Sequence, residues 1–298
     1  PDSSMKGIAF KTDGTKMYMA GDSTNRIYQY TLSTPWDLST AAVEQTGSPP
    51  ADVYFQITGM VFNNPSDVSF NSDGTAMYIT SLSTGDRKVF QYALSTPWEV
   101  TTAVYVTSFF SVASQSTSPI GLEFNNDGTK MYKTDSSGDV VYEYDLAGSP
   151  AWDIESAVVS SNTLALLGET TPTGIALNAT GTRMYIVGST TNKIYQFALG
   201  VAYDVSSATF VGAYSILYTP DSVEFNSTGT QMYILSLSNI AYRYALSSAW
   251  DVTTATFDGY SFDGSSEDGG ITGIFVSSDD TKLYFLGNDQ VVVYEYDL

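Results

Sequence analysis

The sequence predicts an all-β protein, a β-propeller of six blades with about 50 residues each. The first reason is a nine-residue phrase that occurs six times in the 298 residues and ends on Tyr18, Tyr78, Tyr132, Tyr185, Tyr233 and Tyr284. The second is the alternation of aromatic and β-branched residues between clusters of Gly, Asn, Asp and Ser, which is typical of short strands. The third is that no stretch has the 3.6-residue apolar period of helical repeats.

Each repeat is divided into four strands, which we name A to D from the first to the last. In the third repeat we predict strand A over 121–124, a two-residue turn at Asp127 and Gly128, strand B over 130–134 and strand C over 141–146. Asp-Gly is a favoured hairpin turn. Strand D varies in sequence, as in 104–112 and 208–216.

The repeats fill the chain, so we predict one propeller domain over 1–298. Its repeats are approximately 5–56, 65–116, 119–170, 172–218, 220–268 and 271–298. We expect either that the last blade has three strands or that the native chain continues. A longer native protein with seven blades is a further alternative. Because the chain opens on Pro1 without a leader, we expect a monomeric domain from a longer product.

Charge and composition exclude several functions. Twelve Lys and Arg against 32 Asp and Glu leave a net charge of −20, which repels a phosphate backbone, so nucleic acid is not an expected partner. The sequence contains no run of 18 apolar residues, so we do not expect it to insert into a membrane. The chain has no His and no Cys, which removes thiolate nucleophiles, His relays and the usual zinc, iron and copper sites. We therefore expect no cofactor, and the one alternative is a bound calcium ion.

The phrase Asn-x-Asp-Gly-Thr-Lys-Met-Tyr, with Tyr-x-Tyr-x-Leu-Ser-Thr-Pro-Trp-Asp-Val-Thr-Thr-Ala behind it, resembles a propeller repeat of uncharacterised proteins from marine phages and marine bacteria. The resemblance covers the whole chain. More loosely the chain is similar to the YVTN and NHL groups of propellers. The resemblance implies the fold and brings no catalytic residue, since one fold hosts unrelated functions. The many Ser, Thr, Asn and Asp residues with few Lys favour an extracellular or virion-associated location.

An aromatic residue followed by an acid lies between strands C and D in five repeats, as in Trp36-Asp37 and Trp250-Asp251. We expect the ring to pack between blades and the acid to accept backbone hydrogen bonds in the turn. A sugar-stacking platform is the alternative.

Strand A has small or short polar residues at one position, which we attribute to the crowding of blades at a propeller axis. Two positions later, Glu123 and Glu224 are out of character. A buried acid needs a partner. We expect a hydrogen bond from the Tyr132 or Tyr233 hydroxyl across the hairpin; the alternative is a cation site formed by both carboxylates.

The loops between strands B and C lie on the face where we expect ligand binding, and they concentrate four of the 12 cations. The candidate ligand-binding residues there are Asp22, Asn25, Arg26, Asp86, Arg87, Lys88, Asp135, Asp139, Asn192, Lys193, Asn239 and Asp289.

Two functions follow from these patterns. The first is a non-catalytic binding or structural module that recognises a glycan or a protein through this loop face. The second is a carbohydrate-active lyase or hydrolase in which Glu123, Glu224, Tyr132 and Tyr233 act as acids and bases. Because the polar positions follow the repeat, we favour binding and assign no catalytic residue. The insert 46–64 is a candidate lid or recognition surface.

Overall fold

A computed structural model describes residues 2–43, 53–57, 65–81, 87–114, 119–135, 139–146, 151–166 and 168–298. Within these ranges the chain forms six antiparallel sheets and five short 3₁₀ helices, with no α-helix. Each sheet is one blade of a six-bladed β-propeller, so the predicted fold class is confirmed. No helix in the described ranges has the length and apolar character needed to cross a bilayer.

Within each blade, consecutive strands pair as hairpins in the order A, B, C, D. The strands, blade by blade, are β1 (Met5–Phe10), β2 (Lys16–Gly21), β3 (Arg26–Leu32), β4 (Ala41–Val43) and β5 (Tyr54–Gln56); β6 (Pro65–Phe70), β7 (Ala76–Ser81), β8 (Lys88–Leu94) and β9 (Ala103–Ser111); β10 (Pro119–Phe124), β11 (Lys130–Asp135), β12 (Val140–Asp145) and β13 (Val158–Ala165); β14 (Pro172–Leu177), β15 (Arg183–Gly188), β16 (Lys193–Leu199) and β17 (Ala208–Ser215); β18 (Pro220–Phe225), β19 (Gln231–Ser236), β20 (Ile240–Leu246) and β21 (Ala255–Asp263); β22 (Ile271–Val276), β23 (Lys282–Gly287) and β24 (Val292–Asp297).

The first and sixth blades depart from the four-stranded plan. In the first blade the place of strand D is shared by β4 and β5, which both pair with β3. Most of the predicted insert 46–64 lies outside the described residues, and its described part, 53–57, contains β5. The sixth sheet has three strands in the described ranges.

The chain divides into two compact units. Residues 1–111 with 268–298 hold the first, second and sixth blades, and residues 112–267 hold the third, fourth and fifth. In the first unit the sixth blade packs on the first, where the Asn288 side-chain oxygen accepts hydrogen bonds from the Ser4 hydroxyl (3.0 Å) and the Met5 N–H (2.9 Å). This contact joins residues that are 284 positions apart in the sequence.

The turn between strands A and B is a four-residue loop, so the predicted two-residue turn is wrong. In the third blade the Asn125 N–H donates to the Lys130 carbonyl, and residues 126–129 form the loop. The strand register is the same for both loop lengths, which is why the predicted pairing of Glu123 with Tyr132 is nevertheless confirmed.

The glycine of this loop is required by the aromatic residue that follows strand C. Gly229 has φ +67°, and a Cβ atom there would overlap the Trp250 indole. The backbone N–H of Trp250 donates a hydrogen bond to the Gly229 carbonyl at 2.8 Å. The same pairing holds for Gly14 with Trp36, Gly74 with Trp98, Gly128 with Trp152 and Gly181 with Tyr203. In the sixth blade Asp280 takes the left-handed position, at φ 60°.

These aromatic residues also pack between blades, as predicted. Trp36 of the first blade stacks on Phe275 of the sixth at 6.1 Å, and Trp98 of the second on Tyr18 of the first at 6.4 Å. The acid after the aromatic residue caps the following 3₁₀ helix in four blades, through Asp37, Asp153, Asp204 and Asp251. The exception is Glu99, which forms an ion pair with Lys16.

Two further side chains join each blade to the next within a unit. The strand B tyrosine donates its hydroxyl to the carbonyl of the next blade's aromatic residue, as in Tyr185 to Trp250 at 2.7 Å. A strand C amide or carboxylate accepts from the first N–H of the next 3₁₀ helix, as in Gln196 from Val252 at 2.8 Å. Much of the repeated polar sequence is therefore structural.

Candidate functional site

The loops between strands B and C share one backbone requirement. The residue before strand C has a positive φ in every blade: Asn25 (54°), Arg87 (31°), Asp139 (54°), Asn192 (53°), Asn239 (63°) and Val291 (58°). Asn and Asp tolerate this left-handed conformation better than most residues. Four of the predicted ligand residues, Asn25, Asp139, Asn192 and Asn239, thus have a sufficient structural reason to be where they are.

Three of these loops lie on a carboxylate that precedes strand A. In the fourth blade Glu169 accepts hydrogen bonds from the N–H groups of Thr190 (3.1 Å) and Thr191 (3.0 Å). A side chain at Gly188 would overlap this carboxylate, so glycine is required at the end of strand B. Asp2 with Gly21 and Asp268 with Gly287 repeat the arrangement in the first and sixth blades.

The predicted cations on these loops differ in what they contact. Arg26 lies over the Tyr54 ring at 4.0 Å and donates to the Gln56 side-chain oxygen at 2.8 Å, so it fastens β5 to β3. Lys88 lies 4.5 Å from the centre of the Phe109 ring. Arg87 carries a buried Nε that has no hydrogen-bond partner among the described residues. Lys193 is partly buried at the start of β16.

The predicted acidic candidates are mostly held within the loops. Asp22 accepts from the Ser4 hydroxyl at 3.5 Å through one oxygen, while its other oxygen is buried without a partner in the described ranges. Asp135 is buried at the end of β11. Asp289 is exposed and packs against Gly269 and Gly270. Asp86 lies outside the described residues.

Glu123 and Glu224, predicted as a structural pair or cation ligands, both lie in the second unit. Their register opposite Tyr132 and Tyr233 is confirmed, but the predicted hydrogen bond from tyrosine to Glu is wrong. The Tyr132 hydroxyl donates instead to the Tyr203 carbonyl at 2.5 Å, and that of Tyr233 to the Gln231 side-chain oxygen at 2.8 Å.

The electrostatics at Glu224 favour its protonated form near neutral pH. Burial, and then the nearby charge of Glu123, raise the pKa of Glu224 to about 8. Burial also raises the pKa of Asp221 in the same strand to about 6, and in the first unit that of Asp67 to about 7. The described residues contain no group of three or more His, Cys, Asp or Glu side chains that could hold a metal ion.

Two of the small residues of strand A, Gly7 and Gly174, have the predicted packing role, whereas a Cβ atom at Gly273 would have no neighbour within 4 Å in the described ranges. A Cβ atom at Gly7 would overlap Asp67 in the neighbouring strand β6, and one at Gly174 would lie 3.2 Å from the Ser222 Cα in β18. The inner strands therefore approach closely within each unit.

An exposed apolar cluster in the fifth blade was not predicted. Leu217, Tyr218 and Leu237 are 78%, 44% and 61% exposed, on the loops that enter strand A and leave strand B. The two loops are joined by the Leu237 N–H, which donates to the Thr219 carbonyl at 3.0 Å. The Tyr218 ring stacks on Tyr242 at 4.2 Å with an interplanar angle of 9°. We call these three residues the loop cluster.

A sequence signal for the loop cluster was present. The N–H groups of Asp22, Ser189 and Asn288 make the same bond to the loop before strand A that Leu237 makes. These three residues are polar, whereas the fifth repeat has a leucine at the position, and so does the second, Leu82. Comparing the repeats would therefore have identified two leucines, Leu82 and Leu237, at a position that is polar in the other four repeats.

No protein-family model matches the sequence, and no curated protein matches it. Solved structures match its fold. A functionally unknown protein from Desulfotomaculum acetoxidans is 14% identical, with a TM-score of 0.67, and the match covers 99% of this chain and 82% of that one. A proposed 6-phosphogluconolactonase from Bacteroides uniformis is 13% identical, with a TM-score of 0.65 and coverage of 98% and 80%. Another from Bacteroides fragilis is 10% identical, with a TM-score of 0.64 and coverage of 98% and 79%. At these identities the similarity shows the propeller fold alone.

Proposed function

We propose that the protein is a non-catalytic binding module that recognises a glycan or a protein through its loop face. The observation that carries this proposal is the loop cluster, where Leu217, Tyr218 and Leu237 expose apolar surface on neighbouring loops. Exposed apolar patches with polar borders are typical of interaction sites. Lys193, the first residue of β16, and Asn239, in the loop of the fifth blade, supply polar groups at the same class of loop.

The proposal is tested on a glycan array and on an array of folded proteins. Replacing Leu237 with Ser should weaken the affinity for any ligand that the wild type retains by about tenfold. This factor corresponds to a loss of about 1.4 kcal/mol of binding free energy. The matched control is Val158→Ser, since Val158 is 65% exposed but lies on the outer strand β13. Equal weakening by both variants, or by neither, rejects the loop cluster as the binding surface.

A hydrolase or lyase is the second candidate, and the raised pKa of Glu224 beside Glu123 favours it. Such a carboxyl group keeps its proton near neutral pH and can act as a general acid. Tyr132 is a poor participant, because its hydroxyl proton is donated to Tyr203 and burial raises its pKa. In this alternative Glu224→Gln abolishes turnover of a polysaccharide or of 6-phosphogluconolactone without lowering the melting temperature.

We also propose calcium as a ligand of Glu123 and Glu224, an extracellular or virion-associated location, and a monomeric domain within a longer chain. The acidic composition and the resemblance to marine phage and marine bacterial propellers support these proposals. A melting temperature that rises in millimolar calcium, and does not rise in Glu123→Gln, tests the cation; an equal response of both proteins rejects it.

A further inference from the structure

A depression between the fourth and fifth blades is lined by the cation Arg183. At the same position in three other blades, a lysine forms ion pairs with carboxylates. The volume of the depression is about 400 Å³, and its walls include Asn178, Thr180, Thr182, Arg183, Ser227 and Trp250. The depression lies at the turns between strands A and B, away from the loop cluster. We call it the Arg183 depression.

The position of Arg183, the first of strand B, is a lysine in three other blades, and each of those lysines is paired. Lys130 contacts Glu143 (2.6 Å) and Asp145 (2.7 Å), and Lys282 contacts Glu295 and Asp297. Lys16 contacts Glu99 of the next blade. The repeat therefore neutralises a cation at this position with carboxylates from strand C or from the next blade.

Arg183 lacks both kinds of partner. The residue opposite it in strand C is Ala198, where Lys130 and Lys282 face Asp145 and Asp297. The strand C glutamate is replaced by Gln196, which accepts from Val252. Asp251, after Trp250, caps its own 3₁₀ helix. The guanidinium donates to the Thr182 carbonyl at 3.1 Å, and it forms no ion pair with any residue in the described ranges.

The hydroxyl groups beside Arg183 have one proton to spare. The Asn178 amide donates to Thr180 (3.0 Å) and Thr182 (3.1 Å), whose hydroxyls lie 2.9 Å apart. One of the two hydroxyl protons is used between them, so the other is available to a ligand. The Trp250 indole covers Gly229 and also lines the depression, which gives a planar apolar wall.

The corresponding groove between the third and fourth blades is bridged by the protein itself. There the Tyr203 hydroxyl and the Asn126 amide both donate to the Ala179 carbonyl, at 2.6 and 2.8 Å. The fourth and fifth blades thus combine a cation that has no ion-pair partner among the described residues, an available hydroxyl proton and an aromatic wall, in a space of ligand size.

We propose that the Arg183 depression binds a uronic acid residue of a polysaccharide. The guanidinium fits a carboxylate with two parallel hydrogen bonds. The spare hydroxyl proton suits a sugar oxygen, and the indole suits the apolar side of a pyranose ring. This site is separate from the loop cluster and goes beyond the function proposed above.

The test is calorimetric titration of digalacturonate and diglucuronate into the protein at about 0.15 M salt, where the Debye length is about 8 Å. Neutral digalactose and acetate are titrated in parallel. The wild type should bind a diuronate, and bind digalactose and acetate at least tenfold more weakly. Arg183→Gln should weaken diuronate binding about tenfold or more, whereas Lys6→Gln removes one charge from β1 and should leave it unchanged.

Two variants separate binding from folding. Ala198→Asp keeps Arg183 and supplies the carboxylate that the third and sixth blades have, so it should also weaken diuronate binding. Trp250→Tyr introduces the residue type that the fourth blade has at the corresponding position, Tyr203. This variant should fold and should bind the diuronate more weakly. No diuronate binding by the wild type at 10 mM, or equal binding by wild type, Arg183→Gln and Ala198→Asp, overturns the proposal. Leu237→Ser should leave diuronate binding intact even where it abolishes array binding.

Discussion

The hydroxyl of Tyr185 in the fourth blade donates a hydrogen bond of 2.7 Å to the main-chain carbonyl of Trp250 in the fifth. Tyr18 makes the same bond to Trp98, Tyr132 to Tyr203 and Tyr284 to Trp36. In these four blades the tyrosine that ends the repeated phrase therefore binds the next blade's turn, whereas the Tyr233 hydroxyl donates to Gln231 within its own strand.

Tyr185→Phe should destabilise the protein by about 1 to 3 kcal/mol, because the Trp250 carbonyl loses its donor in a buried place. Urea unfolding measures the loss. The control is Tyr260→Phe, since the Tyr260 side chain is 60% exposed. Equal unfolding midpoints for the two variants would mean that the hydroxyl bond is energetically irrelevant.

Gly229→Ala should lower the free energy of unfolding by more than about 1 kcal/mol, which is the size of the difference in backbone preference between glycine and alanine alone. The added Cβ would overlap the Trp250 indole, and the residue has φ +67°. Asp280→Gly is the opposite change at the corresponding position of the sixth blade, and it should be neutral or stabilising, because glycine adopts φ 60° without strain. Thermal unfolding of both variants checks the difference, and a tolerated Gly229→Ala contradicts it.

Lys130→Met should cost more stability than Lys282→Met. Lys130 neutralises Glu143, whose side chain is fully buried, whereas the partners of Lys282 are 18% and 89% exposed. A buried charge left without its partner costs about 3 to 5 kcal/mol, and an exposed pair contributes about 1 kcal/mol or less. Chemical denaturation of both variants at pH 7 provides the comparison; the reverse order would refute the assignment of Glu143 as a buried anion.

Stability should fall as the pH rises from about 5 to about 8. The folded-state pKa values of Asp221, Asp67 and Glu224, about 6, 7 and 8, lie above the ordinary values of 3.8 and 4.5. The folded protein thus binds protons more tightly than the unfolded chain, and this contribution is lost as the pH rises through the folded-state values.

Glu224→Gln should flatten that dependence, because glutamine is neutral throughout. Melting temperatures at pH 5, 6, 7 and 8 measure the slope, with about 2 to 4 °C expected per kcal/mol. Glu267→Gln, at an exposed position, is the control. The same slope in Glu224→Gln and in the wild type would exclude Glu224 as the titrating group.

The sequence predicts the blades well because their strands are fixed by local patterns. The alternation of residues identifies strand C in β12, and the register of Glu123 with Tyr132 follows from the hairpin. The partners of these residues lie in other blades, at separations such as the 71 residues between Tyr132 and Tyr203. Local patterns carry no information on such contacts, which is why the destination of the tyrosine hydroxyl was missed.

The structural contacts of the loop residues could not be predicted from the sequence for the same reason. A polar loop residue looks like a ligand-binding residue until the backbone shows that Asn192 and Asn239 occupy left-handed positions. Arg26 looks available until β5 brings Tyr54 and Gln56 against it. What differs between blades is more informative than what repeats, since Arg183 faces Ala198 where Lys130 and Lys282 face carboxylates.

The central claim is that the loop cluster is a binding surface, and hydrogen exchange tests it most directly. The wild type is saturated with the glycan or protein that it retains on the arrays, and amide exchange is compared with that of the free protein. We predict slower exchange in 216–219 and 236–240, with the outer strand β13 (Val158–Ala165) unchanged. Retained ligand that slows exchange elsewhere, and leaves these two loops unchanged, would contradict the claim.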